Sequence, residues 1–470
     1  MKDCSSHKRC APDASKKTIK GWPRLPTRVL ELLDDPNQPA QKVINFFGKK
    51  LDRVLDRKCA GRLRLTDGKG LSGPYAAVSY CWGTSQALTT TRETLEQRRR
   101  EILVSQLPQT LQDTVFVARK LGIHYIWIDA LCIIQDDKAD WAREAARMAT
   151  VYRDSHLTIA AANALESSAG FLRPRKTGYP AAIECTLSNG KTSILYLQLV
   201  RGWPRGTHPL NFEPLNSRAW TLQERYLPRR ILHFGTDQMF WECETGLFSE
   251  TGDWAVRNVG MTDLLDDTVQ EIGEGNDVES EDASYFGWYY MMEVYAQRNI
   301  TYGRDRLPAL SGLASWMADR FRDKYCAGLW WKDIRVGLLW SAKEFLQQPT
   351  EWRAPSWSCI AMDGPIQFRG LYRAGDSLAI WKECNLSLAG EDPFGELLAG
   401  SIKLEAPLCP IMFMDVDTHS KHVNAASLTV DFGNGAGLGD GRLDVENYKV
   451  DNTFVLLLGQ MEPDNSGAVS

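Results

Sequence analysis

Residues 75–83, Tyr75-Ala-Ala-Val-Ser-Tyr-Cys-Trp-Gly83, decide the fold, because they read as a buried strand that ends in a tight turn. The segment Tyr125-Ile-Trp-Ile-Asp-Ala-Leu-Cys-Ile-Ile134 is almost continuously apolar, which is typical of a strand covered on both faces. Leu157-Thr-Ile-Ala-Ala-Ala162 has the same character. The sequence therefore predicts three buried strands in this part of the chain.

Two helical patterns separate these strands. Pro108 suits a first helical turn and Gly122 suits a C-cap, with apolar residues at helical spacing between them. A second pattern starts near Asp140 and continues to about Tyr152. Alternating strands and helices imply right-handed crossovers and parallel pairing. We therefore predict an α/β fold, a doubly wound, mostly parallel, flavodoxin-like sheet, with a helical segment and a β-rich C-terminal region.

The bulk composition is that of an ordinary globular protein. The chain has 470 residues, of which 43% are apolar and 24% charged, and its net charge is −4. So small a charge gives no electrostatic signal for nucleic acid, and no apolar run approaches the roughly 18 residues of a membrane span. The 11 cysteines are scattered, and the N-terminus lacks the apolar core of a secretory signal. We therefore expect reduced thiols and a cytoplasmic protein.

Changes of composition along the chain predict six segments. Residues 230–234 and 238–243 are expected to form a hairpin within the third of them. The segments are a disordered tail (1–20), an N-terminal extension (21–74), the α/β domain (75–245), an acidic loop without lysine or arginine (262–282), a helical region (285–345) and a β-rich C-terminal region (350–460).

Polar residues gather where the predicted strands end, which is where ligands bind in parallel sheets. The most unusual is Asp129, because a carboxylate in a buried apolar strand is destabilising unless it is hydrogen-bonded or paired. It is interpreted either as a catalytic residue or as a structural acid that binds backbone amides of a neighbouring loop. The residues predicted to bind substrate at this edge are Tyr80, Cys81, Trp82, Gly83, Cys132, Gln135, Asp136 and Trp141.

Glu144 is the second candidate for catalysis. It lies three residues after Trp141 and four before Met148, so helical spacing places it on the side that faces the sheet or its rim. Burial there would disfavour its charged form, which suits a general acid or base. The alternative is an ion pair with Arg143 or Arg147 at the rim.

The stretch from Arg218 to Arg225 is helix-like and dense in polar and aromatic residues. One hypothesis is that it closes a pocket over the strand ends. The alternative is a helix packed by Trp220 and Leu222 with its charges in solvent. The substrate-binding candidates in this stretch are Arg218, Trp220, Gln223 and Glu224.

Motifs for metals and nucleotides are missing from the sequence. His419 and His422 lie in a polar stretch without cysteines or acids at zinc spacing. Neither of the glycine-rich phosphate-binding patterns occurs. Cys132 is a candidate thiol nucleophile, although a buried, inert cysteine explains it as well. We predict no metal and no bound cofactor.

Three long, tryptophan-rich blocks resemble the heterokaryon-incompatibility (HET) domain of filamentous fungi. The resemblance extends over about residues 75–224, and it implies a role in non-self recognition, since HET proteins trigger cell death when incompatible fungal cells fuse. The blocks are Tyr75–Gly83, Tyr125–Asp136 and Arg218–Arg225, and the intervening Leu107–Thr110 and Asp140–Glu144 fit as well.

The HET domain is also regarded as a distant relative of TIR domains, many of which hydrolyse NAD⁺ with a glutamate on the helix after a central strand. Glu144 occupies a comparable place in this sequence. The resemblance therefore implies NAD⁺ as a substrate and Glu144 acting on the nicotinamide ribose. Tyr80 and Trp82 would stack on the nicotinamide, and Asp129 would position the site.

Two other functions stay open. One is that the domain signals without catalysis, by self-association or by binding another incompatibility protein. The other is that the HET fold has been recruited to a different reaction, for example in secondary metabolism, in which residues 320–460 would form part of the substrate pocket. Replacing Glu144 by Gln separates catalysis from signalling, because it keeps the shape and removes the charge.

Overall fold

The computed structural model describes most of the α/β domain and much of the remaining chain. The predicted tail 1–20, almost all of the acidic segment 262–282, and His419 and His422 lie outside the described residues. The residues that the structure describes are 22–33, 61–83, 88–175, 181–186, 190–197, 209–252, 255–257, 280–344, 346–368, 379–405, 408–410, 412–416, 427–431, 438–442 and 454–456.

The chain divides into two compact units. The first comprises Met1–Trp141, Val151–Ser217 and Pro228–Val259, and the second comprises Ala142–Thr150, Arg218–Leu227 and Gly260–Ser470. Among the helices that the structure describes, none combines the length and apolar character of a membrane-spanning segment.

The first unit contains a ten-stranded sheet, as far as it is described, and a separate two-stranded sheet of β7 and β8. Its strands are β1 (Arg28–Leu33), β2 (Arg62–Asp67), β3 (Tyr75–Ser79), β4 (Ile102–Leu103), β5 (Tyr125–Trp127), β6 (Leu157–Ala160), β7 (Ala181–Thr186), β8 (Thr192–Leu197), β9 (Arg230–Phe234), β10 (Met239–Cys243), β11 (Gly246–Ser249) and β12 (Ala255–Arg257). Its α-helices are α1 (Leu95–Arg100), α2 (Gln109–Lys120), α3 (Asp129–Cys132) and α4 (Lys138–Asp154), whose middle residues belong to the second unit.

The large sheet is mixed, whereas the sequence predicted a mostly parallel one. Its order is β12-β11-β10-β9-β6-β3-β5-β1-β2-β4. Only the centre is parallel, with β3 between β5 and β6 and β9 beside β6. The flanking strands pair antiparallel. On one side, β1 pairs with β5 and β2 pairs with β1; on the other side, β10 forms an antiparallel hairpin with β9. The prediction of a mixed helix-and-strand domain is confirmed, and that of a mostly parallel sheet is wrong.

Burial explains the central strands. All five residues of β3 and all four of β6 are buried, as expected for strands covered on both faces. The end of α4 is fastened to β3, because the Tyr75 hydroxyl donates to the Val151 carbonyl at 2.6 Å and the Tyr152 hydroxyl donates to the Val78 carbonyl at 2.9 Å. Trp127 of β5 packs edge-on against Tyr152, with 5.7 Å between ring centroids. These aromatic contacts form the core beside the parallel strands.

The strand predicted over residues 125–134 is too long. It ends at Trp127, and Asp129 opens the short helix α3. The Asp129 carboxylate accepts a hydrogen bond from the Ala130 backbone N–H at 2.7 Å, and the Cys132 N–H donates to the Ile128 carbonyl at 2.7 Å. Aspartate favours such local bonds over strand pairing. Asp129 therefore sits just beyond a strand and not inside it.

The second unit begins with α5 (Thr221–Tyr226) and contains α6 (Ser280–Ala296), α7 (Pro308–Phe321) and α8 (Ile334–Gly337). The helical region predicted over 285–345 is therefore interrupted, and it also contains three short strands. The strands described in this unit are β13 (Tyr325–Cys326), β14 (Leu329–Trp330), β15 (Trp340–Ala342), β16 (Ile366–Phe368), β17 (Ile380–Leu388), β18 (Leu397–Glu405), β19 (Leu408–Pro410), β20 (Met412–Val416), β21 (Ser427–Asp431), β22 (Leu438–Arg442) and β23 (Phe454–Leu456). The predicted β-rich C-terminal region is confirmed.

Aromatic residues form the core of the second unit. Trp288 packs edge-on against Trp330 at 5.3 Å, and its indole N–H donates to the Gly328 carbonyl at 2.8 Å. Beside this core, two buried arginines bind one carboxylate. Arg353 donates two hydrogen bonds to Asp363, at 2.8 and 3.1 Å, and Arg306 donates a third at 3.0 Å. These charge-assisted bonds fix the segment that leads into β16.

Candidate functional site

The candidate residues fall into two groups, one in each compact unit. The second unit contains Glu144, Arg218, Trp220, Gln223 and Glu224, and the first unit contains the others. We call the group at the ends of β3 and β5 the strand-end cluster; it comprises Tyr80, Cys81, Trp82, Gly83, Asp129, Cys132 and Gln135. Because β3 and β5 are parallel, their carboxyl ends lie at the same edge of the sheet. The structure thus brings the strand-end candidates together as the sequence predicted.

Asp129 and Trp82 are joined directly. The Trp82 indole N–H donates to Oδ2 of Asp129 at 2.9 Å, and Oδ1 of Asp129 accepts from the Ala130 N–H at 2.7 Å. Asp129 is half-buried, as is Trp82. Both carboxylate oxygens therefore accept hydrogen bonds, so the Asp129 carboxylate fixes the position of the Trp82 ring.

Gly83 allows a loop from the end of β6 to lie against this turn. Its φ is +77°, and a Cβ at this position would lie 2.2 Å from Cβ of Glu166. The Ser167 N–H donates to the Trp82 carbonyl at 3.2 Å. Glycine is needed here for both its backbone angle and the close approach.

The same loop is held by Asp113, which sequence reasoning missed. Oδ2 of this buried carboxylate accepts from the N–H groups of Phe171 and Leu172, at 2.8 and 3.0 Å. Gln109 donates to its other oxygen at 2.8 Å. The sequence feature that could have identified Asp113 is an acidic residue among the apolar positions of α2. Asp129 was selected for the same reason, as an acidic residue in an apolar segment.

The two cysteines of the strand-end cluster are buried, free thiols. Cys81 packs in an apolar cluster with Ala160, Ala162, Leu215 and Ile231. The thiol of Cys132 accepts from the Ile128 N–H at 3.5 Å. Both thiols are enclosed by the fold, so the geometry supports a structural role for both.

The remaining strand-end candidates have local contacts. Gln135 donates from its side chain to the carbonyls of Asp129 and Ile133, at 3.1 and 3.2 Å. Asp136 is exposed and accepts from the Arg92 N–H at 2.8 Å. Trp141 is half-buried on α4. Gln135 therefore braces α3, while Asp136 lies on the surface.

A buried ion pair supports the start of α4, and sequence reasoning missed its basic partner. Arg28 of β1 binds the Asp140 carboxylate and donates through Nε to the Cys132 carbonyl at 2.6 Å. Asp140 also accepts from the Ile134 N–H at 2.9 Å. Arg28 and Asp140 are both buried, so this pair joins the antiparallel strand β1 to the first turn of α4.

Glu144 belongs to the second unit and is only 2% exposed. Its predicted position on the buried side of α4 is confirmed. One carboxylate oxygen lies 3.8 Å from Nη1 of Arg147, whose own side chain is 60% exposed. The pairing at the helix rim that the sequence suggested is therefore present, and it is a long contact to a solvated guanidinium.

The Arg218–Arg225 stretch is helical from Thr221, as α5, and Trp220 precedes its first turn. The Trp220 side chain donates a hydrogen bond to Asp305. Burial raises the pKa of Asp305 to about 6, with Glu396 raising it further while Arg304 and the Trp220 bond oppose the shift. Trp220 therefore fastens α5 to the turn before α7.

The Arg298 side chain binds the residues at the start of α5. It donates to the Arg218 carbonyl at 3.2 Å and to the Thr221 hydroxyl at 3.0 Å. Burial lowers its pKa to about 10. Glu224 and Arg225 are buried as well. The predicted alternative of a helix with its charges in solvent is therefore wrong for these two residues.

Gln223 is a buried candidate whose side-chain amide makes no hydrogen bond to the described residues. It is 1% exposed, and neither atom of its amide has a hydrogen-bond partner among the described residues. It lies where α7 approaches most closely, since a Cβ at Gly312 would be 2.8 Å from its Oε1 and 2.5 Å from Cβ of Ala149. Buried amides are nearly always paired, so Gln223 is an exception among the buried polar residues of this unit.

Residues 75–224 match the model of the family described as heterokaryon incompatibility protein (HET). The match spans β3, α3, α4 and most of α5, and it includes every candidate residue of both groups. Comparison with curated proteins and with solved structures found no match. Over residues 75–224, about a third of its 470 residues, this chain is therefore similar to the HET domain family.

Proposed function

We propose that this protein acts in fungal heterokaryon incompatibility as a cell-death effector that hydrolyses NAD⁺, with Glu144 as the catalytic carboxylate. The HET domain implies involvement in heterokaryon incompatibility.

The order of the parallel strands supports a flavodoxin-like or TIR-like arrangement. Numbered along the chain, β3, β5, β6 and β9 are strands one to four, and they lie in the order 2-1-3-4. This is the order with which flavodoxin-like sheets begin. Glu144 lies on α4, which follows β5, the second of these strands.

The burial of Glu144 is the observation that carries the proposal. A carboxylate removed from water interacts more strongly with nearby charge than a solvated one. Hydrolysis of NAD⁺ breaks the bond between the ribose C1′ and the nicotinamide nitrogen, and positive charge develops on the ribose as that bond lengthens. Glu144 would stabilise this charge or accept the proton of the attacking water. The products are ADP-ribose, nicotinamide and a proton.

Within the first unit, Trp82 supports binding of a flat heteroaromatic ring. Its indole is held by Asp129 and remains half-exposed. A fixed aromatic ring stacks well on a nucleotide base or a pyridinium ring. This supports the predicted contribution of Trp82 to substrate binding, with Asp129 as its positioning residue.

The test is NAD⁺ consumption by purified wild-type protein and the Glu144→Gln variant. We expect the wild type to release nicotinamide and ADP-ribose, and the variant to lose roughly 100-fold or more of that rate. Asp154→Asn, at the far end of the same helix, is the control and should keep wild-type activity. Chromatography of both products measures the reaction.

Two results would overturn the proposal: wild-type protein that leaves NAD⁺ unchanged, or a Glu144→Gln variant that is as active as wild type. Expression in a fungal host separates the alternatives. If toxicity survives in the variant while NAD⁺ is untouched by wild type, signalling by self-association becomes the better account.

A further inference from the structure

Two cysteines of the second unit lie side by side on different hairpins. Cys326 is in β13 and Cys384 is in β17, and they are 0% and 1% exposed. Both are free thiols, and their side chains hydrogen-bond to each other. They are far apart in sequence, so their meeting is a property of the fold.

Neighbouring contacts hold the two hairpins together at this point. The Lys324 ammonium donates to the Cys384 carbonyl. Tyr325 packs against Phe394, which lies in the turn between β17 and β18, with 5.3 Å between ring centroids. The Cys326 thiol also lies 3.8 Å from the Lys324 carbonyl. The β13–β14 and β17–β18 hairpins are therefore fixed with their thiols in reach of each other.

The surroundings of the two thiols differ in a way that suits stepwise oxidation. The hydrogen bond from Cys326 lowers the pKa of the Cys384 thiol, burial opposes this, and the charge of Lys324 lowers it further. The same bond and burial raise the pKa of Cys326. The Lys324 ammonium lies at the Cys384 carbonyl, where its charge favours a thiolate, so we assign Cys384 as the attacking sulfur.

We propose that Cys326 and Cys384 are an oxidisable pair that forms an intramolecular disulfide when the protein meets hydrogen peroxide. The Cys384 thiolate attacks one peroxide oxygen, the O–O bond breaks, and hydroxide leaves with a proton as water. The Cys326 sulfur then attacks the sulfenic acid sulfur, the S–S bond forms, and a second water leaves. The two thiols give up two electrons, and one peroxide becomes two waters.

Burial of the two thiols should slow their oxidation, and two other cysteines serve as internal controls. Peroxide reaches the pair through local opening, so oxidation should be slower than at the half-buried Cys185. Cys359 is equally buried in the same unit, and burial raises its pKa to about 12. Cys359 should therefore stay a thiol while the pair is oxidised.

Peptide mapping of the wild-type protein tests the proposal. The full chain is treated with hydrogen peroxide, quenched, unfolded and alkylated, and its peptides are identified by mass spectrometry. We expect a linked peptide that contains Cys326 and Cys384, that has lost two hydrogens, and that dithiothreitol restores. The oxidised protein should unfold roughly 5 °C higher than the reduced protein, because the bond restricts the unfolded chain.

Variants test the order of the steps. In Cys326→Ser, Cys384 should accumulate as sulfenic acid, which dimedone traps, whereas Cys384→Ser should give little adduct at Cys326. The mapping experiment on wild type decides the main proposal even if a variant fails to fold. Recovery of both residues as alkylated thiols after Cys185 has been oxidised, or a bond from either one to a different cysteine, would overturn it.

Discussion

The indole N–H of Trp82 donates to the Asp129 carboxylate over 2.9 Å, so the turn after β3 and the first residue of α3 hold each other in place. Two segments that are distant in the chain are thus joined by one side-chain bond at the edge of the parallel strands. Because the other carboxylate oxygen binds the Ala130 N–H, loss of Asp129 affects both the turn and the short helix.

Asp129→Ala should lower the free energy of unfolding by about 2 kcal/mol, since it leaves the Trp82 and Ala130 N–H donors without their acceptor. Asp129→Asn should cost less, because its amide oxygen still accepts one of the two bonds. Urea unfolding followed by circular dichroism measures both. Asp136→Ala removes an exposed carboxylate next to the same cluster and should change stability by less than about 0.5 kcal/mol. Equal effects of Asp129→Ala and Asp136→Ala would contradict the assignment.

The buried pair of Arg28 and Asp140 should be far more sensitive than a surface pair. Arg28→Met leaves the Asp140 carboxylate buried without its cation, and we expect a loss of about 3 kcal/mol of stability. Arg99→Met removes an exposed ion pair with Glu96 and should cost less than about 0.5 kcal/mol. Denaturant titration compares the two. The double variant Arg28→Met/Asp140→Leu should be less destabilised than the sum of its single changes.

Gly312→Ala should disturb the contact of α7 with Ala149 and Gln223. The added methyl group would lie 2.5 Å from Cβ of Ala149, so a helix must move, at a cost of about 2 kcal/mol. Gly390→Ala is the matched control, because a Cβ there meets nothing within 4 Å. Thermal unfolding should show a lowered midpoint for the first variant and an unchanged one for the second. A stable Gly312→Ala protein would mean that these helices pack less closely.

Asp305 should make stability depend on pH. Burial raises its folded-state pKa to about 6, above the ordinary value of 3.8. The neutral carboxyl therefore stabilises the fold fully below pH 3.8, and this contribution is lost as the pH rises through about 6. Asp305→Asn does not titrate and keeps an acceptor for Trp220. Relative to wild type, its stability should improve on the order of 2 kcal/mol between about pH 4 and about pH 7.5. A difference that is the same at both pH values would contradict this.

The sequence predicted those elements whose signal is local. The start of β3, the helix from Pro108 to Gly122 and the β9–β10 hairpin follow from apolar spacing and turn residues, and the structure confirms them. The segment after Trp127 was misread because a short apolar run does not distinguish a strand from a buried helical turn. The antiparallel flanks were missed because β1 joins β5 across a long stretch of chain, which no local pattern specifies.

The candidate site shows the same division. Helical spacing correctly placed Glu144 on the buried side of α4. In contrast, Arg28 and Asp113 acquire their roles only from partners that are distant in the sequence. The sequence around each of these two residues matches no functional motif, so only the three-dimensional contacts show which segments they stabilise.

The strands that flank the parallel centre have a practical consequence for isolating the domain. A fragment cut at the limits of the family match, residues 75–224, would lose β1 beside β5 and β9 beside β6. The two edges of the remaining three-stranded sheet would then present unpaired backbone N–H and C=O groups. Exposed apolar edge strands of this kind promote aggregation. A fragment that keeps both flanks of the described sheet must therefore begin before Arg28 and continue past Arg257.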